Sequence, residues 1–224
     1  MRIDILTLFP EMFSPLKTSL LGKAIEKEIL QINIIDIREF SLDKHHKCDD
    51  TPFGGGAGML MTIEPISRAF ESIEGYEKAH KIYMSPKGKT FNQKYVNVLS
   101  KYEHIIFLCG HYEGVDERVI ELFIDEEISI GDYVLTGGEL PAMVVIDAIA
   151  RFVPEVLGSA ESVKDESFSG KTLEYPQYTR PQSFRGLEVP DVLLSGHHKN
   201  IEKWRREKSV EITNARRPDM KEDA

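Results

Sequence analysis

The sequence predicts an α/β fold with a mostly parallel sheet, followed by a linker and a small all-helical C-terminal domain. Short β-rich runs alternate with helical patterns over the first two-thirds of the 224 residues, as in other α/β domains. The alternation stops after Pro154, and one clean helical stretch lies near the end of the chain. With 41% hydrophobic and 29% charged residues, the composition is typical of a globular protein and excludes general disorder.

Strands and helices alternate in the first domain, so we expect helices to cover both faces of the sheet. The predicted strands span residues 2–9, 32–37, 81–84, 104–109 and 128–130. The predicted helices span residues 11–28, 65–72, 92–100 and 115–123.

A further helix is predicted over residues 140–152, where the sequence reads LPAMVVIDAIARF. It is apolar on nearly every side, and a helix of that character has to be buried all round. A subunit interface would bury it, and so would a central position in a monomer core. The sequence leaves both readings open.

The C-terminal part of the chain differs in composition. Residues 158–170 read GSAESVKDESFSG, which is small and polar with little to bury, and this pattern predicts a linker. A helix is then predicted from about residue 199 to 213. We therefore expect an N-terminal domain over residues 1–157, a linker over 158–170 and a helical domain over 171–224.

Charge is unevenly distributed along the chain. The 28 Lys and Arg against 37 Asp and Glu give a net charge of −9, which argues against one uniformly basic surface for nucleic acid. From residue 171 onward, 11 basic residues outnumber 9 acidic ones for a net of +2, so residues 1–170 carry 17 − 28 = −11. A polyanionic partner would be bound largely by the C-terminal third.

No apolar run approaches the roughly 18 to 20 residues that a bilayer span needs, and the N-terminus does not read as a signal peptide. We expect a cytoplasmic protein without membrane contact. Cys48 and Cys109 lie far apart in sequence, and the second falls within a predicted strand, so reduced thiols are expected.

Four glycine-bearing segments follow strands or precede helices, at residues 49–59, 85–89, 110–114 and 130–139. In an open α/β sheet, ligands bind outside the carboxyl ends of the strands, where such loops expose backbone groups. None of the four is a Walker loop or a G-x-G-x-x-G dinucleotide fingerprint. The set therefore predicts a ligand site of another kind.

Metal binding is not expected. His45, His46, Cys48 and Asp49 are crowded together without the usual ligand spacings, and no second cluster accompanies them. His111 lies within a candidate site loop, where orienting the loop and catalysis are equally open roles.

Two carboxylates in the predicted linker, Asp165 and Glu166, precede Ser167 and Phe168. A solvated charge pair is one reading. If the linker folds over a ligand, one carboxylate becomes a candidate general base, because burial and neighbouring charges can tune its pKa. Arg151, at the end of the apolar helix, is the candidate cation beside it.

Several long segments, taken together, are similar to the bacterial tRNA (guanine-N1)-methyltransferases of the knotted SPOUT superfamily. The matching segments lie at residues 8–13, 54–61, 110–117, 130–141, 178–181, 192–196 and 204–205. Because they occur in order along essentially the whole chain, the resemblance is more specific than any single motif.

The resemblance implies methylation of guanine N1 at tRNA position 37, with S-adenosylmethionine as the methyl donor, by a homodimer whose active sites are shared between subunits. It also implies a deep trefoil knot, which strand patterns could not show. The implied donor-binding residues are Ser85, Pro86, Gly110, Tyr112, Glu113, Ile130, Gly131, Asp132, Tyr133, Val134, Leu135, Gly137, Gly138 and Pro141. The implied tRNA contacts are Asp49, Gly58, Arg205 and Arg206.

The implied chemistry agrees with the residues. Guanine N1 carries a proton near neutral pH, so its methylation requires a base at N1 and gains from a cation near O6. The family's base is an Asp directly before Ser-Phe, a position held here by Glu166, with Asp165 one residue earlier. The family's catalytic Arg corresponds to Arg151.

Two other functions stay open on the sequence. A different SPOUT methyltransferase, acting on a ribose 2′-OH or on ribosomal RNA, should lack the long loop at residues 49–61 and the Ser167-Phe168 linker. A non-enzymatic RNA-binding protein would need neither the donor loops nor the carboxylate and Arg pair.

Overall fold

A computed structural model describes residues 1–157, 167–168 and 170–221. The chain divides into two compact units, residues 1–158 and 159–224, and each is considered separately. Within the described part, no helix has the length and apolar character needed to cross a membrane.

The first unit contains a five-stranded parallel sheet, so the predicted mostly parallel α/β fold is confirmed. Its strands follow the order β2-β1-β6-β5-β7. They are β1 (Arg2–Thr7), β2 (Gln31–Asp36), β5 (His80–Thr90), β6 (His104–Cys109) and β7 (Glu126–Ser129), while β3 (Asp49–Asp50) and β4 (Leu60–Met61) form a separate antiparallel pair.

Strand β5 extends six residues beyond its predicted end. Its pairing with β7 shifts register between Met84 and Lys89, so the polar stretch with Pro86 is accommodated as an irregularity. Gly88 permits this, because a Cβ there would lie 2.4 Å from backbone atoms of Glu127 and Ile128. Pro86 and Gly88 disfavour a regular strand, so the sequence pattern did not predict the extension.

Five helices belong to the first unit: α1 (Ser19–Glu26), α2 (Ile63–Glu71), α3 (Gln93–Leu99), α4 (Glu117–Phe123) and α5 (Glu139–Ala150). Shorter 3-10 segments span Pro10–Lys17, Ile37–Phe40 and Tyr76–Lys78. The single helix predicted over residues 11–28 is wrong. Pro15 lies inside the 3-10 segment, and extended backbone at Thr18 separates that segment from α1.

The hydrophobic core forms two layers, one on each face of the sheet, as the alternation predicted. Along β6, Ile105 and Phe107 belong to one cluster, while Ile106 and Leu108 belong to the other. All four side chains are fully buried, because β6 is the central strand of the sheet and helices cover both of its faces.

The second unit is not all-helical, which corrects the prediction. Beside α6 (Asp191–Leu194), α7 (His198–Arg216) and a 3-10 turn (Pro218–Lys221), it contains a short hairpin of β8 (Ser183–Phe184) and β9 (Leu187–Glu188). Arg185 and Gly186 both have positive φ at the hairpin turn, the geometry that two-residue β-turns favour.

Candidate functional site

A cleft opens at the carboxyl ends of β6 and β7, where the loops after these two strands converge on residues 83–86 within β5. Its volume is about 200 Å³. Its walls are formed by Tyr83, Met84, Ser85, Pro86, Gly110, His111, Tyr112, Glu113, Gly114, Ile128, Ser129, Ile130, Gly131, Tyr133, Val134, Leu135, Thr136, Gly137, Gly138 and Pro141. This is the edge of the sheet at which α/β folds bind ligands.

The loop after β6 and the loop before α5 touch each other at the back of the cleft. The Gly138 amide donates to the Gly110 carbonyl at 2.8 Å, and His111 forms an isolated bridge with Gly137. A Cβ on Gly138 would lie 2.9 Å from the Cα of Cys109, so only glycine fits this approach. The glycines therefore bring two backbone segments together.

Tyr83 closes the floor of the cleft beneath Gly110. A Cβ on Gly110 would lie 2.7 Å from the Tyr83 hydroxyl oxygen, so glycine is needed here too. Burial raises the pKa of Tyr83 to about 12, with smaller contributions from the negative charges of Glu127 and Glu117. Tyr83 consequently stays a neutral phenol at physiological pH.

The β3–β4 pair brings the long 49–61 loop against the loop after β6. The Met61 amide donates to the Gly114 carbonyl at 3.0 Å, and the Glu113 amide donates to the Met59 carbonyl at 3.0 Å. Gly58 faces the Glu113 side chain, which a Cβ at Gly58 would approach to 2.4 Å. The 49–61 loop, which is predicted to contact tRNA, therefore lies beside the 110–114 loop, which is predicted to contact the methyl donor.

His111 presents an unsatisfied polar atom in the wall of the cleft. Its Nδ1 is buried and has no hydrogen-bond partner among the described residues. The ring lies against Phe9 and Tyr112, with centroid distances of 4.7 and 5.1 Å. A buried nitrogen without a partner is uncommon, and a polar ligand in the cleft could supply one.

Glu139 lies behind the cleft and is only 1% exposed. The Thr7 hydroxyl donates to its Oε1 at 2.9 Å. A Cβ on Gly137 would come within 2.3 Å of Glu139 Oε2 and 2.8 Å of His111 Nδ1, so Gly137 leaves these two groups in close proximity. Sequence reasoning did not single out Glu139; its position as the first residue of the apolar helix was the available signal.

Of the fourteen predicted donor-binding residues, all but one contribute to this cleft. Asp132 is the exception, since it is exposed and does not form part of the wall. Tyr83 and Ser129 line the cleft but were missed; Tyr83 lies within β5, and Ser129 is the last residue of β7. Sheet order brings these two strands together, and sequence patterns do not reveal that order.

Of the two predicted catalytic residues, Arg151 is described by the structure and Glu166 is not. Arg151 is the C-cap of α5, at the end of the helix farther from the cleft. Glu166 and Asp165 lie outside the described residues, as does most of the predicted linker. Ser167 and Phe168 are both described, and the Ser167 hydroxyl accepts a hydrogen bond from the Glu174 amide at 3.0 Å.

In the second unit, Arg205 and Arg206 are exposed on α7. Neither forms an ion pair within the part of the chain that is described, whereas Lys208 lies 2.6 Å from Glu211. The Arg205 guanidinium lies 4.7 Å above the Tyr175 ring centroid. Both arginines are therefore available to an anion.

The described residues contain no group of three or more His, Cys, Asp and Glu side chains that could hold a metal ion. Of the cluster examined for metal binding, Cys48 is buried, and burial raises the pKa of its thiol. A raised pKa disfavours the thiolate that metal coordination requires.

The parallel sheet and the glycine-built cleft define an α/β domain with a cleft in the region where such folds bind small ligands. A family model described as tRNA (Guanine-1)-methyltransferase TrmD matches residues 1–223. The chain belongs to this family of methyltransferases.

Relatives named tRNA (guanine-N(1)-)-methyltransferase cover nearly the whole chain. The protein of Carboxydothermus hydrogenoformans is 60% identical over 98% of this chain and 87% of its own length. Those of Clostridium botulinum and Alkaliphilus metalliredigens are each 57% identical over 98% of this chain and 91% of their own lengths.

Proposed function

We propose that the chain methylates N1 of guanine 37 in tRNA, with S-adenosylmethionine as the methyl donor. The observation that carries the proposal is the cleft, because it gathers the segments in which the sequence resembles guanine-N1 methyltransferases. Family membership supports tRNA guanine N1 as the target, while the donor, position 37 and the residue roles are inferences from the resemblance.

The cleft suits a donor of mixed polarity. Tyr133, Val134 and Leu135 offer apolar surface to it, and the loops around Gly110 and Gly138 offer backbone groups. His111 Nδ1 needs a polar partner there. When bound, S-adenosylmethionine supplies an electrophilic methyl group on its sulfonium.

The protein's part in the reaction is to remove a proton and to stabilise charge. Glu166 accepts the proton from guanine N1, since it holds the position of the family's base before Ser167. Arg151 stabilises the negative charge that gathers at O6 as N1 loses its proton. Asp165 is the competing candidate for the base.

Arg151 supports a dimeric active site. It lies at the opposite end of α5 from Pro141, which lines the cleft, and ten helical residues span roughly 15 Å. Leu140 and Val144 lie on one stripe of α5 and are each about half exposed, at 49% and 50%. A second copy covering this stripe would bury it and could bring its own Arg151 to the cleft.

The remaining parts of the proposal follow the same resemblance. The loops at residues 85–87, 110–114 and 130–141 are threaded as a deep trefoil knot, and residues 1–157 form the donor-binding and dimerisation domain. Residues 158–170 link it to a tRNA-binding domain at residues 171–224. Asp49 and Gly58 contact the tRNA near the cleft, Arg205 and Arg206 contact it from α7, and the enzyme works in the cytoplasm.

The test uses two tRNA transcripts that differ only in having guanine or adenine at position 37. Each is incubated with the purified chain and S-adenosylmethionine, and the product nucleosides are identified by mass spectrometry. We expect 1-methylguanosine from the guanine transcript alone. A methyl group on a ribose, or equal methylation of both transcripts, would favour another member of the superfamily.

A further inference from the structure

A second pocket lies entirely within the C-terminal unit and is separate from the cleft. Its volume is about 220 Å³. Its walls are formed by Tyr175, Pro176, Gln177, Tyr178, Leu193, Ile201, Trp204 and Arg205. A cavity of about 150 Å³ is enough for a benzene ring, so this pocket has room for one planar base.

Three aromatic rings and one guanidinium define the pocket. Tyr178 and Trp204 have ring centroids 6.3 Å apart and are inclined by 55°. The Arg205 guanidinium lies over one face of the Tyr175 ring, 4.7 Å from its centroid, and adds a second planar group to the wall. Tyr178 is 49% exposed, so its ring is accessible from solvent.

The pocket is free of acidic side chains although the unit contains several. None of its wall residues is Asp or Glu, and its one charged member is Arg205. In a chain with a net charge of −9, this composition favours an electron-rich or anionic ligand. Gln177 adds an amide, whose NH₂ donates to the Glu174 carboxylate.

These rings are not simply the closed core of a small domain. In the described part of this unit, the only residues less than a tenth exposed are Ser209 and Thr213, which are both polar. Trp204 and Tyr175 are half-buried, and Leu193 and Ile201 beside them are half-buried as well. The pocket therefore retains apolar surface that a planar ligand could cover.

We propose that this pocket binds one unstacked base of the RNA substrate, by stacking on its aromatic rings with the phosphate beside Arg205. The inference rests on the proposed function for the presence of RNA. Proteins take up unpaired bases in this way, on aromatic side chains and Arg guanidinium planes, whereas paired bases are not accessible to such stacking.

Trp204 is the only tryptophan of the chain, so its fluorescence reports directly on the pocket. The full-length protein is titrated with an RNA hairpin carrying an unpaired loop and, separately, with a fully paired RNA duplex of the same length. We expect the hairpin to quench Trp204 and the duplex to leave its emission nearly unchanged. Equal quenching by both RNAs, or hairpin binding seen by anisotropy without quenching, would overturn the proposal.

Variants of Tyr178 provide a second test that does not depend on the fluorophore. Loss of one stacking ring weakens single-strand binding by roughly 5- to 150-fold, and we expect that loss for Tyr178→Leu. Tyr178→Phe keeps the ring and should bind within about twofold of the parent. The salt dependence of binding should be the same in all three proteins, because stacking releases no counterions.

Phe184 provides the matched control. It is an exposed aromatic residue of the same unit with a guanidinium over its ring, that of Arg185 at 5.2 Å, but it lies outside the pocket. Phe184→Leu should leave hairpin affinity unchanged, and a loss equal to that of Tyr178→Leu would contradict the assignment. If the parent binds and methylates tRNA yet Tyr178→Leu binds normally, the pocket assignment fails alone; if the parent neither binds nor methylates tRNA, the proposed function fails.

Discussion

At the scale of single residues, Gly138 is the cleft glycine whose substitution would meet backbone atoms and not a side chain. A Cβ at this position would meet the backbone of Cys109 and Gly110, which cannot rotate away as a side chain could. Overpacking of this kind costs about 1 to 3 kcal/mol, and here it would push apart the two segments that form the back of the cleft.

We therefore predict that Gly138→Ala weakens S-adenosylmethionine binding by roughly tenfold or more, measured by calorimetry. Gly170→Ala is the matched control, since a Cβ at Gly170 would meet no atom within 4 Å. Equal donor affinity in both variants would show that contact between the two loops is not needed for binding.

Ionisation of Tyr83 should account for part of the loss of folding stability at alkaline pH. Its folded pKa of about 12 exceeds the ordinary value of 10.0, so the folded state keeps a proton that the unfolded state has lost between these values. Its stabilising contribution is complete below pH 10 and is lost as pH rises toward 12, by about 2 to 3 kcal/mol in all.

Denaturant unfolding at a series of alkaline pH values checks this prediction. The free energy of unfolding should fall less steeply for Tyr83→Phe than for the parent, because the phenol that titrates is gone. Parallel curves for the two proteins would mean that other groups, such as the buried Cys109 thiol, account for the whole decline.

The identity of the base can be decided by comparing two substitutions. General-base catalysis contributes about 10² to 10⁴ in rate, so Glu166→Gln should slow single-turnover methylation by that factor while donor binding stays intact. Asp165→Asn should have a much smaller effect, because Glu166 and not Asp165 holds the position directly before Ser167 that the family's base occupies. A more damaging Asp165→Asn would assign the base to Asp165.

Arg151→Ala should also slow the chemical step at saturating donor, by about 10² to 10³ if its charge acts at O6. Mixing this variant with Glu166→Gln tests whether the residues act across two copies. If the Glu166 and Arg151 of one active site come from different subunits, mixed dimers regain activity at one of their two sites. No regain despite mixed dimers would mean that one subunit supplies both residues of a site.

At the scale of an element, α7 carries cations with and without partners. Arg206 has no ion pair among the described residues, while Lys208 has Glu211 at 2.6 Å. RNA releases fewer counterions when it binds a cation that is already paired with a carboxylate than when it binds an unpaired cation. The two residues should therefore contribute unequally to the salt dependence of tRNA binding.

We predict that Arg206→Ala lowers the slope of log affinity against log salt by up to about 0.9, and that the double Arg205→Ala and Arg206→Ala variant lowers it by up to about twice that. Lys208→Ala should change the slope less. Filter binding across a range of salt concentrations gives these slopes. Unchanged slopes in the arginine variants would place the phosphate contacts elsewhere.

At the scale of the whole molecule, the cleft and the half-exposed stripe on α5 belong to the first unit alone. We predict that a fragment of residues 1–157 dimerises and binds S-adenosylmethionine but does not methylate tRNA. Sedimentation and calorimetry measure the first two properties. A dimeric fragment that releases no heat with the donor would mean that the cleft is not the donor site.

How well each element was predicted depends on whether the local sequence pattern or contacts with distant residues define it. Strand β6 matched its predicted bounds because its apolar run is short and bounded by polar residues, and α5 matched within two residues because its apolar face is long. The break at Thr18 was missed although Pro15 is a local signal for it, and the extension of β5 was missed because it depends on pairing with β7, which is distant in sequence.

The sequence by itself determined the class of fold, the two-layer core and the segments that form the cleft, because period and residue type are local properties of the chain. Only the tertiary structure decided that residues 83–86 of β5 lie beside the ends of β6 and β7, that Gly58 faces Glu113, and that Arg151 stands a helix length from the cleft. Sheet order and close backbone approach arise from packing between residues far apart in sequence, and no local pattern records which of them will meet.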